Sequence, residues 1–304
     1  MQPRTLFVLG LLGISFAVAP VAAQQDFSNV QIRTIPVSDG VYMLMGSGGN
    51  IGLSVGEDGP FVVDDQYAPL TEKILAAIAA VSDGSVRFVL NTHWHGDHVG
   101  GNENMGKAGA MILAHENVRK RMNPAEFRDV MESSQQAPPD ALPVVTFTDG
   151  VTFYWNDEKI RAFHVPHAHT DGDAIIQYTN ANAIHMGDTF FNWMYPFIDV
   201  GSGGHIDGMI HAASAGLALS NSGTKIIPGH GELATPDDLR EYRDMLITVR
   251  DRVQTMLNDG MSVEEIVGAK PTSDFDARWY PENWFIAGDR MVRQTAESLL
   301  NIES

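Results

Sequence analysis

Apolar and polar positions alternate along residues 30–35 and 41–45, and Ser38-Asp39-Gly40 between them supplies turn residues, so this stretch predicts a β-hairpin. Short strands are predicted next at residues 51–55 and 61–63, and the chain therefore begins as antiparallel sheet. Over residues 70–81 the apolar spacing becomes helical, then yields at Asp83-Gly84 to a short apolar strand of the buried kind at 86–90. Further short strands are predicted at residues 111–113, 144–147, 159–163, 174–178, 183–186 and 224–227, with helical stretches between several of them. Residues 135–143 hold three prolines and read as a flexible loop. Beyond Thr235 the pattern is helical through Leu257, and again from about Glu282 to Leu300. No repeat of solenoid period and no low-complexity tract interrupts this order. Strand-rich halves separated and flanked by helices predict two sheets packed face to face with helices outside, a layered α/β fold.

At 304 residues the chain can bury one large core or two ordinary ones. Its first residues have the pattern of a targeting signal: Arg4 gives the positive start, residues 6–19 an apolar run, and Val21-Ala22-Ala23 a small-residue cleavage site. Residues 1–23 are therefore set apart as a signal peptide, 24–304 as the folded domain, and the mature protein is expected in the periplasm or secreted. The apolar run is shorter than the roughly 18–20 residues that span a bilayer, so no stable membrane insertion is expected after cleavage. Cysteine is absent, which removes disulfides and thiolate metal sites alike and leaves stability to the core and to any bound metal. The formal charge of −18 repels phosphate backbones at long range and counts against a nuclease or any nucleic-acid partner. A small-molecule substrate is the partner expected.

Candidate chemistry concentrates in Asn91-Thr92-His93-Trp94-His95-Gly96-Asp97-His98-Val99-Gly100-Gly101, just past a predicted strand. Alternation along an extended chain turns His93 and His95 to one side. Gly96 permits a sharp change of direction, after which Asp97 and His98 can return from a turn or helix start to a neighbouring point. Imidazole and carboxylate ligands suit zinc, iron or manganese. The bland alternative is a solvated loop with chance histidines. Four ligand-type residues within six positions, punctuated by glycine, argue against it.

In this spacing the segment resembles the metallo-β-lactamase superfamily, whose H-x-H-x-D-H motif is matched by His93, His95, Asp97 and His98. Three later segments match in order: His169-Thr170-Asp171, Gly187-Asp188 at the end of a predicted strand, and Pro228-Gly229-His230-Gly231. The resemblance spans most of residues 24–304 and implies the family's four-layer αββα sandwich. It also implies two zinc ions, the first held by His93, His95 and His169, the second by Asp97, His98 and His230, with Asp188 bridging them or joining the second. A water or hydroxide would lie between the metals, and Asp97 would orient it. Zinc brings the pKa of bound water to about 7 and polarises an attacked carbonyl.

His164 and His167 flank His169, which is preferred because its His-Thr-Asp step matches the family pattern. His167 is either a substrate-facing or outer residue or an ordinary surface histidine, and His115, His185, His205 and His211 read as ordinary. Asp64 and Asp65 stand where the family often has an acid supporting a metal-binding histidine, although a pair of turn-forming aspartates reads as well. Trp94, Trp193, Met194, Tyr195 and Phe197 supply apolar surface for either a pocket wall or the core.

The zinc β-lactamases of closest pattern carry a cysteine where this chain has Asp188, and a lysine three positions later where it has Phe191. That lysine would bind a drug's carboxylate, so its loss counts against efficient β-lactamase action. The aspartate instead resembles the glyoxalase II and lactonase branches, and the helix expected over residues 205–215 could replace some substrate contacts. The function implied is metal-dependent hydrolysis of an ester, thioester, lactone or lactam. Phosphodiester cleavage on the same metals is disfavoured by the acidic charge. An iron-containing oxidoreductase of the same fold is the alternative of a different class, and metal analysis separates the two. A scaffold that had lost catalysis would lack ligands, and none of the seven is missing.

Overall fold

The computed structural model describes residues 26–123, 137–282 and 284–301; the targeting segment 1–23 lies outside them. One sheet has seven strands in the order β1 (Arg33–Ser38), β2 (Val41–Met45), β3 (Ile51–Ser54), β4 (Phe61–Val63), β5 (Phe88–Leu90), β6 (Met111–His115) and β7 (Val145–Phe147). The pairs from β1 to β4 are antiparallel, and those from β4 to β7 parallel. In the second sheet β8 (Gly150–Trp155), β9 (Glu158–His164), β10 (Ala174–Tyr178) and β11 (Ala183–His185) are antiparallel neighbours, and β12 (Lys225–Ile227) joins β11 in parallel.

The two-residue period of the strands sorts their side chains between two interiors. Val63 and Leu90 of the first sheet meet Ile176 and Ile227 of the second between the sheets. Val62 and Val89 point the other way, under α1 (Thr71–Ala79), which buries Ile74 and Ile78. On the outer face of the second sheet, Ile175, Ile184 and Ile226 pack under α5 (Ile206–Ala218), α6 (Pro236–Asn258) and α9 (Gly288–Leu300). Helix, sheet, sheet and helix therefore form four layers, the αββα sandwich expected.

Short helices complete the chain: α2 (Gly96–Val99), α3 (Asn102–Lys107), α4 (Glu116–Met122), α7 (Val263–Ala269) and α8 (Asp276–Trp279). Three sequence expectations need correction. The first strand begins at Arg33 and continues to Ser38 through an irregularity at Pro36, because hydrogen bonding to β2 sets its limits. The last helix begins at Gly288, leaving the chain before it free to run over the sheet end. The described part of the proline loop, 137–143, is pinned: Ala141 and Leu142 are buried, and Asn102 Nδ2 donates to the Ala141 carbonyl at 3.0 Å. Among the described residues, no helix is long and apolar enough to cross a membrane.

Candidate metal centre

Parallel pairing brings the carboxyl ends of β4 and β5, and those of β11 and β12, to one end of the sandwich, and the loops leaving them carry the candidate residues. After Leu90 the chain leaves the sheet, and Thr92 is fixed by its N–H to Asp64 Oδ1 at 2.7 Å and by its carbonyl accepting from Ala174 N at 2.8 Å. His93 and His95 thus reach the site from a loop, not from a strand. Helix α2 supplies Asp97 and His98, the β9–β10 connection His169, the end of β11 Asp188 and the end of β12 His230.

The seven residues gather as two groups. His93, His95, His169 and Asp188 form one, Asp97, His98 and His230 the other, with ligand-type atoms within 4.8 Å of one another in each. Asp188 links them: its Oδ2 lies 3.5 Å from His169 Nε2 and 3.4 Å from His230 Nε2, while Oδ1 lies 3.0 Å from His98 Nε2. His230 Nε2 also stands 3.3 Å from Asp97 Oδ2.

Each buried ring is oriented by its outer nitrogen. His98 Nδ1 donates to Asp64 Oδ2 at 2.7 Å, and His169 Nδ1 to the Phe197 carbonyl at 2.7 Å. Thr92 Oγ1 donates to Asp64 Oδ2 at 2.7 Å, so it accepts from His93 Nδ1 at 3.0 Å. His95 Nε2 donates to Asp199 Oδ2 at 2.9 Å. With the outer nitrogens protonated, the neutral rings turn lone pairs inward. His95 Nδ1 and His169 Nε2 then face each other at 2.8 Å with no proton between them, and His93 Nε2, His98 Nε2 and Asp188 Oδ1 are buried without hydrogen-bond partners. Converging lone pairs and carboxylate oxygens repel unless a cation lies among them, so the donor set fits divalent metal.

At the three-histidine group the electrostatics agree with that reading. Burial lowers the pKa of His93 well below the usual imidazole range and that of His169 to about 4, which keeps their nitrogens available. Burial opposes ionisation of Asp97 and Asp188, yet His98 and His230 hold Asp97 at about 2 and keep Asp188 well below the usual carboxylate range. His98 differs: burial opposes a charge on it, but Asp188, Asp97 and Asp64 raise it well above its usual range, so with no cation among them these carboxylates draw a proton to the ring in its place.

Asp64 is therefore a partner of the site, and Asp65 is not: its Oδ1 accepts from Gly101 N at 2.9 Å. Asp64 reaches Thr92 and His98 at once from a left-handed backbone, φ 63°, which costs a non-glycine residue about 1 kcal/mol or more. His164 and His167 do not join either group, and Asp171 turns away to pair with Arg121 at 2.7 Å. His185 ties Asn50 to Gly187, donating to the Asn50 carbonyl at 3.0 Å. Of the expected wall residues, Trp94 and Phe197 contact His95, whereas Tyr195 is buried in the core and Trp193 packs at a tilt against Trp279. Sequence reasoning missed Asp199, which belongs to no motif, and Trp284, whose ring lies 5.6 Å from that of His230.

Residues 46–251 match the model of the metallo-beta-lactamase superfamily. The chain belongs to that superfamily. Among its curated relatives are the lactamase-like protein aptB of Emericella nidulans, 25% identical over 71% of this chain, and a hydroxyacylglutathione hydrolase of Pelagibacter ubique, 28% identical over 35%. The matches cover 62% and 37% of those proteins' own lengths, less than two thirds of either. The atrochrysone carboxyl ACP thioesterase of Aspergillus chevalieri is 25% identical over 79% of this chain and 70% of its own length. Among solved structures, DIM-1 metallo-beta-lactamase superposes with a TM-score of 0.58 at 16% identity, over 72% of this chain and 99% of its own. The sec-alkylsulfatase Pisa1 from Pseudomonas sp. gives 0.66 at 16% identity, over 89% of this chain and 50% of its own. At such identities these two likenesses speak for the metallo-beta-lactamase fold alone.

Proposed function

We propose that this chain is a zinc-dependent hydrolase acting on a carbonyl substrate, with esters and thioesters ahead of lactones and β-lactams. The observation that carries the reading is the convergence of inward-facing nitrogens from four oriented imidazoles on Asp188 and Asp97. His93, His95 and His169 would hold one ion, Asp97, His98 and His230 the other, and Asp188 would serve both. When bound, the two ions supply Lewis acidity, acidifying water and polarising a carbonyl oxygen.

The chain's own residues do the remainder. Asp97, ionised and partly open to solvent at 21% side-chain exposure, accepts a hydrogen bond from the attacking water and so aims it at the carbonyl. Phe191, stacked on His230 at 5.4 Å, and Phe197, against His95, keep bulk water from the reacting carbonyl. Phe191 also stands where a carboxylate-binding lysine would, which ranks β-lactams low. A relative named as a thioesterase, similar over most of this chain, supports the acyl preference. The signal pattern at residues 1–23 supports action in the periplasm or outside the cell, and N-terminal sequencing of the mature protein tests that.

The test of function is a panel of purified, zinc-loaded protein against an aryl ester, an acyl thioester, a lactone, nitrocefin and a phosphodiester, with metal analysis and a chelated control. Turnover of ester or thioester that disappears on chelation and returns with zinc is expected. Absence of any hydrolysis with two zinc ions bound per chain would overturn the reading, and iron as the native metal would turn it toward oxidoreduction.

A further inference from the structure

Outside the family's matched range, the chain between α8 and α9 returns to the metal centre. Trp284 Nε1 donates to the Tyr195 carbonyl at 2.8 Å, and this bond holds the indole 5.6 Å from the His230 ring and 5.7 Å from Phe191. Phe285 follows 4.6 Å away and is 56% exposed, a large apolar ring left open beside the site. Phe197 lies 6.1 Å from Phe285 on one side and 5.8 Å from His95 on the other. The guanidinium of Arg290, on the first turn of α9, closes this strip, 5.1 Å from the Phe197 ring and 5.3 Å from that of Phe285. An aromatic path therefore runs from both ligand groups to one cation.

That cation is unusual in its surroundings. With 38 acidic against 20 basic residues, arginines nearby are drawn into ion pairs: Arg250 with Asp207, Arg252 with Asp274, Arg278 with Glu241, Arg293 with Glu264. Arg290 is exposed, and among the described residues no carboxylate pairs with it; aromatic faces hold it instead. Its N–H fork stays open to an anion, and the rings beside it exclude water and strengthen such a contact.

Resting on the reading of the centre as a hydrolase, we propose that Arg290, Phe285 and Trp284 select acyl substrates with an apolar body and a carboxylate remote from the scissile carbonyl. The rings receive the body, and Arg290 receives the carboxylate. Because the whole chain is acidic, it offers such a substrate no long-range attraction, and preference has to come from this local contact.

The experiment compares 4-nitrophenyl hexanoate with the mono-4-nitrophenyl ester of adipic acid, equal in length but for the terminal carboxylate, on zinc-loaded wild type, Arg290→Gln, Arg290→Lys and the distant control Arg161→Gln. The ratio of kcat/KM for the carboxylated over the neutral ester is expected to fall about tenfold in Arg290→Gln, through KM, with partial recovery in Arg290→Lys and no change in Arg161→Gln. Calorimetric binding of 4-phenylbutyrate and 4-phenylbutyramide to the same proteins is read in parallel. If the esters are turned over but Arg290→Gln keeps the wild-type ratio, the inference fails while the hydrolase reading stands. If neither ester is turned over, the hydrolase reading fails in this form, and calorimetry decides the inference: preference for the carboxylate lost in Arg290→Gln upholds it, and equal binding to both proteins overturns it.

Discussion

At Asp199 one carboxylate decides which nitrogen of His95 is left to bind. Its Oδ2 accepts from His95 Nε2 at 2.9 Å, while Oδ1 accepts from Ser202 N at 3.2 Å, so loop and ring are fixed together. Burial opposes the charge on Asp199, but the His95 and Ser202 hydrogen bonds hold its pKa at about 2, and the acceptor persists at any pH the protein would meet. Asp199→Ala is expected to weaken zinc at the three-histidine group about 10–100-fold, read by competition with a chromophoric chelator, because His95 loses its tautomeric preference. Asp199→Asn, which keeps an acceptor oxygen, should recover much of that affinity; equal loss in both would assign Asp199 a role in loop folding instead. Asp97 stands differently, at the rim and facing His230. Asp97→Asn should lower turnover on the order of 10²-fold or more, with a change in melting temperature of only a few degrees, since in the proposed reaction it orients the water and it lies outside the core. Near-normal turnover with both metals bound would refute its place in the reaction.

Elements bring these residues together by close approach of loops, and this is where the sequence was least legible. The H-x-H-x-D-H run and the two later histidine steps were readable because ligands cluster in sequence near strand ends. Asp199 and Trp284 were not, because Asp199 sits in the irregular stretch between β11 and α5, and Trp284 meets the site only after the chain has crossed the outer face of the second sheet through α5 and α6. Gly229 shows the tolerance involved: a Cβ there would overlap Asp188 Oδ1. Strand β8 escaped prediction because its outward residues include the exposed Tyr154, which blurs the alternation of Val151, Phe153 and Trp155. Helix α7 carried a sign that could have been used, the Ser262-to-Glu265 capping box, with Ser262 Oγ donating to Glu265 at 2.7 Å. A further consequence arises where β6 and β9 end. His115 and His164, one from each sheet, stack at 3.8 Å. Burial, then the neighbouring ring, lowers His115 to about 4, and burial lowers His164. Both rings fold neutral, so their contribution is complete above about pH 6.5, the unfolded value, and declines as the unfolded chain takes up protons down to about pH 4. Denaturant melts across that window should show about 1–2 kcal/mol of acid loss from the pair. His115→Asn, which retains a cap for Asn117 N, should flatten the curve; an unchanged slope would dismiss the pair as its source.

For the whole molecule, metal and fold are linked because the groups that would bind zinc come from both sheets. Asp97 and His98 follow β5 of the first sheet, while His169, Asp188 and His230 follow strands of the second, so the ions would fasten the two layers at one end. Only the folded chain assembles either group, and ligand that binds the folded state alone stabilises it in proportion to the logarithm of its concentration. At a free zinc concentration of about a thousand times Kd, each site would add about 4 kcal/mol, or roughly 10 °C in melting temperature for a domain of this size. The hydrophobic interior between the sheets does not include the ligands, so the metal-free protein should still fold. The expected result is a cooperative melt after chelation, lower than that of the loaded protein, and a melting temperature that climbs with the logarithm of added zinc. The slope reports how many ions bind. Asp199→Ala should displace the part of the climb due to the three-histidine group to higher zinc and leave the rest in place. A melting temperature indifferent to chelator and to zinc would mean that the converging lone pairs are not a metal site, and the hydrolytic reading would fall with them.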